Sequence, residues 1–336
     1  MSIEIIIFPP KATRDVLRKH LLSLGFSKCE HLWDWPAGSL HFAWFEQRDF
    51  QSAEGVEATV FRPTDEERRQ FGGGEWAVHT RTRASASPFD KGKQNTVIRS
   101  LRRTFGGNFH NDWHGRNRYT PVEKDSRGPT GRGICVIYES ILDKLSAVEY
   151  SLPGPSIKLE GTGKFMKALG RIDPSRVVYN TVMPFTVAAL EYFFRQAFTV
   201  LLRYDEQAKA RLADSTRKVE ISDAIAISRA QRTLEDVVAG WYSFQNLDSI
   251  HAAFKEWFGI DMWRLLRRRR KIGRRVATLD ERLSKLIESR HGVIHRFEFD
   301  ENITEEQTRE MIATARVVMD VFVDYLEQDR GITIRA

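Results

Sequence analysis

The hydrophobic period of this chain changes partway along, and that change limits the folds open to it. Before residue 151, short apolar runs alternate with polar residues at the two-residue period of a strand, as in "VEATVFRP" and "EWAVHTRTRASAS". From about Val182 the period becomes helical and strand signal almost vanishes. "MPFTVAALEYFFRQAFTVLLRYDEQ" predicts a long, strongly apolar helix, and "ISDAIAISRAQRTLEDVVAGWYSF" a second. "LDSIHAAFKEWFGI" and "DMWRLLRRRRKIGRR" follow as further helices. Helices this apolar must bury their faces on one another, which is a bundle. Between the two regimes, Ser151 to Arg171 is rich in Pro, Gly and Lys and reads as a boundary. The expected fold class is an α+β N-terminal domain over 1–155, a linker over 156–181, and an all-α helical bundle over 182–336.

In the first domain "IEIIIF" and "SLHFAWFEQ" read as strands. "TRDVLRKHLLSLG" reads as a helix closed by Gly25, and "NTVIRSLRRTFGG" as an amphipathic helix stopped by Gly106 and Gly107. "GICVIYESILDKLSAVEYSL" predicts another helix before the boundary. In the bundle, Thr278 with Glu281 and Thr304 with Gln307 stand at capping-box spacing before apolar stripes.

Composition narrows the class. Cys29 and Cys135 are the only cysteines, which excludes a disulfide framework and any cysteine-based zinc site and suits a reducing cytosol. The apolar runs read as too short to span a bilayer, and "MSIEIIIFPPK" reads as a first strand rather than a signal peptide, so the expectation is a cytoplasmic protein without a membrane partner. Lys and Arg number 52 against 45 acids, a net charge of +7 that favours a polyanionic partner such as RNA or DNA. The densest cluster lies in "WRLLRRRRKIGRR": Arg267, Arg268, Arg269, Arg270, Lys271, Arg274 and Arg275. An isolated run of this kind is usually a solvated face, but it can also supply phosphate contacts.

Chemistry concentrates in "LIESRHGVIHRFEFDENIT", where Arg290, His291, His295 and Arg296 crowd one segment between two helices. On an unbroken helix a five-residue step turns about 500°, so Arg290 and His295 would diverge by about 140°. They converge only if the helix ends or bends near Gly292, or if two subunits face each other. Arg with a neutral His suits phosphoryl transfer from RNA. The His moves the proton of a 2′-OH or a leaving oxygen, and the guanidinium stabilises the charge on phosphorus. The plainer reading is a helix terminus whose Arg and His pair with acids. A metal reading of His291 and His295, four apart, lacks the neighbouring Glu of a zinc-protease motif and a clear third ligand.

Here the chain resembles the HEPN superfamily, whose signature is Arg, a polar residue, three variable residues and His. Arg290, His291 and His295 fill those places. Upstream, "EYFFR" places Glu191 and Arg195 at the Glu-x3-Lys/Arg spacing of many HEPN ribonucleases, an i,i+4 step that lets the two pair on one helix face. The resemblance covers roughly Val182 to Asp329. It implies a HEPN-like bundle that forms a homodimer and works as a metal-independent endoribonuclease with no cofactor. RNA is the implied substrate. Arg290 and His295 would be catalytic, His291 would shape the site, and Glu191 and Arg195 would support it. Many relatives of this kind are prokaryotic toxin, abortive-infection or anti-phage effectors. Others have lost catalysis and serve as dimerisation or binding modules.

The first domain carries weaker hints of a sensor or a nucleic-acid or nucleotide module, on which a trigger or inhibitor would act. "VHTRTRAS" sets His79, Arg81 and Arg83 on one side of a strand. "SLRRTFGGNFHNDWHGRNRY" interleaves Arg102, Arg103, Arg116 and Arg118 with Phe109, Trp113 and Tyr119, a pattern that can stack bases. His110, Asp112 and His114 alternate as metal ligands could, though a polar loop has the same look. "SRGPTGRG" could cradle an anion at a helix N-terminus but lacks the Gly-Lys-Ser/Thr of a P-loop.

Overall fold

The structure, a computed structural model, describes residues 2–30, 35–152, 174–272 and 275–335. It divides into two compact units, Met1–Ser126 and Arg127–Ala336.

In the first unit the alternating runs become strands β1 (Ser2–Phe8), β2 (Ser27–Cys29), β3 (Leu40–Trp44), β4 (Val56–Phe61), β5 (Ala77–Arg83), β6 (Asn108–Asn111) and β7 (Gly115–Arg116). They pair antiparallel in the order β2-β3-β4-β5-β1-β6-β7, with Ile5 opposite Thr80 and His41 opposite Thr59. Helices α1 (Arg14–Ser23) and α3 (Pro88–Phe105) close one face. Leu17, Leu21, Val97 and Leu101 pack there against Ile5, Ile7, Val60 and Val78. Ser87 caps α3 by accepting from the Asp90 amide, and Pro88 occupies its first turn. Buried Asp90 in turn accepts from the amides of Ala53 and Glu54. The period of two sends Glu4, Ile6, Glu57, Thr59, Phe61, His79 and Arg81 to the opposite face, where α2 (Asp65–Phe71) stacks Phe71 on Phe8.

The second unit is mostly helical. It comprises α4 (Pro129–Tyr150), α5 (Pro174–Tyr204), α6 (Glu206–Ala213), α7 (Ile221–Ser228), α8 (Leu234–Ala239), α9 (Leu247–Phe258), α10 (Met262–Leu266), α11 (Leu279–His291) and α12 (Glu305–Gln328). The 31-residue α5 is the axis, and α4, α8, α11 and α12 pack around it. Phe194 meets Phe193, Phe254 and Phe322 edge to face with centroids 5.3 to 6.0 Å apart. Each such ring contributes roughly 1.5–3 kcal/mol by leaving water. By length and composition α5 could cross a membrane, but 61% of its most apolar window is buried within the chain.

Five expectations change. The helix Pro129–Tyr150 belongs with the second unit, because its Ile134, Ile137, Ile141 and Leu145 are buried as α4 packs on α5 and α12. Of the expected linker, 174–181 form the first two turns of α5, and 156–173 lie outside the described residues. The second bundle helix is two, α7 and α8, separated where Ala230 takes φ of 54°. The arginine run is not helical beyond α10: β8 (Arg269–Ile272) and β9 (Arg275–Thr278) form a hairpin, so the bundle is not all-α. Of the two capping boxes, Thr304 with Gln307 forms, whereas the Thr278 side chain makes no cap hydrogen bond. Gly131, in the "SRGPTGRG" segment, answers to packing. An added Cβ would lie 1.9 Å from the Thr333 carbonyl oxygen.

Candidate active site at the end of helix α11

Helix α11 ends at His291, and the next five residues, Gly292–Arg296, form a π turn. The helix therefore changes its winding at the glycine, although Arg290 turns inward and His295 is exposed. Hydrogen bonds from i to i+5 wind less per residue than those of an α-helix, so residues four and five apart come closer to one face. The rings of His291 and His295 accordingly lie 4.6 Å apart with planes tilted 43°, and both side chains are exposed. Phe297 then reverses the chain in the left-handed region, φ 56°, a costly conformation for a bulky residue, with its ring 79% exposed.

Arg290 points inward. Its Nη2 lies 3.4 Å from Glu191 Oε1 on α5, and the side chains are 16% and 20% exposed. Glu191 Oε1 and Arg290 Nε are buried with no hydrogen-bond partner, so the pair is electrostatic and its hydrogen-bonding capacity is unspent. Burial pushes the Glu191 carboxyl above its ordinary value, and Arg290 only partly offsets this. The loop after the π turn is fixed by Asn180, fully buried on α5. Its Oδ1 accepts from the Asp300 amide at 2.9 Å, and its Nδ2 donates to the Asp300 carbonyl at 3.0 Å. Asn180 carries no sequence signal that marks it for the site.

Glu191 and Arg290, which the sequence placed on separate helices, are thus brought together, with His291 ending α11 and His295 on the π turn. Arg195 is exposed, and the ion pair of Glu191 is with Arg290 rather than with Arg195. Arg269, Arg270 and Lys271 are exposed on the hairpin, and Arg268 is exposed in the bend before it. Arg267 lies 3.8 Å from Asp280 with its guanidinium over the Trp263 ring, Arg275 begins β9, and Arg274 lies outside the described residues. Helix α11, 13 residues and so roughly 20 Å long, separates hairpin from π turn.

The hints in the first unit resolve differently. Phe109 is fully buried with Arg102 over its ring, and Tyr119 packs on Phe109, so these aromatics serve the core rather than a stacking platform. Asp112 accepts from the Glu4 amide, His110 packs on Phe71, and Asn111 Oδ1 accepts from the amides of Trp113 and His114. Among the described residues no group of three or more His, Cys, Asp or Glu is placed to hold a metal ion. His79 and Arg81 line a cleft on the open sheet face.

No protein-family model, curated protein or solved structure matches the chain.

Proposed function

We propose that the second unit is a HEPN-like endoribonuclease that cleaves RNA as a homodimer in the cytoplasm, in the manner of prokaryotic toxin or abortive-infection effectors. The observation that carries this reading is the winding change at Gly292. Arg290 sits against Glu191 just before it, and the rings of His291 and His295 lie 4.6 Å apart and exposed on either side of it. His295 takes the proton of a ribose 2′-OH or returns one to the leaving 5′-oxygen. Arg290, held by Glu191, stabilises the charge that builds on phosphorus. His291 shapes the site beside His295, Glu191 fixes Arg290, and the exposed arginines of the hairpin hold flanking phosphates. The chemistry needs no metal.

A second reading, a non-catalytic dimerisation and binding module, is favoured by the apolar stripe on the exposed side of α5, where Phe185 is 66% and Tyr192 49% exposed. One assay separates the two. Structured and unstructured RNAs are incubated in EDTA with the parent chain and with Arg290→Ala and His295→Ala. The parent is expected to leave 2′,3′-cyclic phosphate ends, and each variant to cut about 100-fold more slowly or worse. No cutting by the full chain or by a fragment starting at Arg127, or equal cutting by the variants, ends the nuclease reading.

A further inference from the structure

The open face of the N-terminal sheet is not a bare, solvated surface. His41 and His79 point outward from it yet are only 5% and 6% exposed, because Trp35 lies over both, with centroids 6.2 and 5.1 Å away. Beside Trp35 the face is hollow, and the cleft holds about 520 Å³, within the range of small-molecule sites.

Its two ends differ in chemistry. At one end Phe61 meets Trp35 edge to face at 5.1 Å beside Ile6, which makes an apolar wall for a flat ring. At the other, Arg81 stands between two carboxylates, with Nη1 3.8 Å from Glu57 Oε2 and Nε 3.8 Å from Glu4 Oε1. Glu4 is committed within the protein. Ser2 donates to one of its oxygens, His79 Nε2 lies 3.1 Å from the other, and that hydrogen bond holds the carboxyl down to about 2. Glu57 is half exposed, so a ligand can reach its carboxylate beside the Arg81 guanidinium. The cleft therefore offers an acceptor and a donor side by side at the end of an aromatic slot.

Charge selects further. Glu4, Glu57 and Glu67 face Arg62 and Arg81 in the lining, so no excess of positive charge awaits a polyphosphate. The match is a neutral planar heterocycle with adjacent donors and an acceptor on one edge. A carboxylate takes the ring N–H and amino group of guanine, and a guanidinium takes its carbonyl oxygen. We propose that this cleft binds a purine base, guanine best, with its ring against Trp35 and Phe61 and its polar edge on Glu57 and Arg81.

The inference is independent of RNA cleavage, and its test reads binding alone. Full-length protein carrying His295→Ala is titrated by calorimetry with guanosine, inosine, uridine and GTP. Saturable binding of guanosine is expected. Inosine, lacking the amino group, and uridine, with a smaller ring, should each be at least tenfold weaker, and GTP no tighter than guanosine. Glu57→Gln should weaken guanosine at least tenfold with an unchanged melting temperature. Because Glu57 is half exposed, that substitution carries the test even if Arg81→Met fails to fold. Two short RNAs, one containing guanines and one only pyrimidines, distinguish the source. Glu57-dependent preference for the guanine strand identifies a base within RNA, and its absence beside tight guanosine binding identifies a free nucleoside. No Glu57-dependent binding of guanosine or of the guanine strand overturns the proposal, as does GTP binding tenfold tighter than guanosine.

Discussion

A buried carboxylate facing a guanidinium stabilises little unless hydrogen bonds complete the pair, and the Glu191–Arg290 pair lacks them. Its value is then positional: an ionised Glu191 holds Arg290 under the π turn. Burial raises the Glu191 carboxyl, so protonation begins at a higher pH than for an exposed Glu. Two consequences follow in opposite directions. As pH falls through that raised value the grip on Arg290 loosens, and the proposed cleavage should decline. Over the same window the native state binds more protons than the unfolded chain, so stability increases. The gain is complete below the unfolded value of 4.5 and is lost as pH rises through the folded one. Glu191→Gln should therefore cut RNA slowly without this acid limb. Urea denaturation at pH 7 and pH 5 should show the parent gaining on the variant at the lower pH. A stability difference that does not change with pH would show that Glu191 does not titrate there. The resemblance to the HEPN motifs singled out Arg290, His295 and Glu191, because the order and spacing of a motif are local. It paired Glu191 with Arg195, its neighbour on the helix, because nothing local records that α11 packs on α5.

The arginine hairpin shows what a sequence period cannot carry. Arginine is a good helix former, and a run of basic residues has no apolar beat to distinguish 3.6 from 2. The ribbon follows from tertiary anchorage: Ile272, opposite Arg275, is 4% exposed, while Val276, opposite Lys271, is 63% exposed. Ladder alternation then places Arg269 and Lys271 on the outward face with Val276, and Arg270 on the face of Ile272. If the hairpin holds RNA, the outward pair makes the contacts. Arg269→Ser with Lys271→Ser should lower the slope of log K against log salt by about 1.5, at about 0.7–0.9 for each lost phosphate contact. Arg270→Ser should change it by less than one contact. Equilibrium binding to a labelled RNA at several salt concentrations reads both, and an unchanged slope in the double variant removes the hairpin from the interface. The missed break at Ala230 has the same origin. A left-handed alanine has no signature in the residues around it, whereas Thr304 with Gln307 was legible because a cap is written in four consecutive positions.

At the scale of the molecule, the axial helix of the second unit carries an exposed apolar stripe among the described residues. Val178, Phe185 and Tyr192 recur every seven residues along α5, are 40%, 66% and 49% exposed, and are interleaved with the exposed small residues Thr181 and Ala188. A seven-residue apolar repeat with small residues between is the pattern of a helix seam. The π turn packs on this same helix and adds Ile294 and the strained, exposed Phe297. Exposed apolar area of this kind marks an interaction surface, and a second copy of α5 is its simplest partner. The full chain should therefore sediment as a dimer. Phe185→Glu with Tyr192→Glu buries two charges in that seam and should yield a monomer. Both side chains already face solvent, so the fold should tolerate them, with a melting temperature within a few degrees of the parent. Cleavage should fall with the dimer, about 100-fold at concentrations where the parent is fully paired. Analytical ultracentrifugation beside the RNA assay decides the matter: a monomer that still cuts at the parental rate confines the active site to one subunit, and a parent that is itself monomeric removes the dimer from the mechanism.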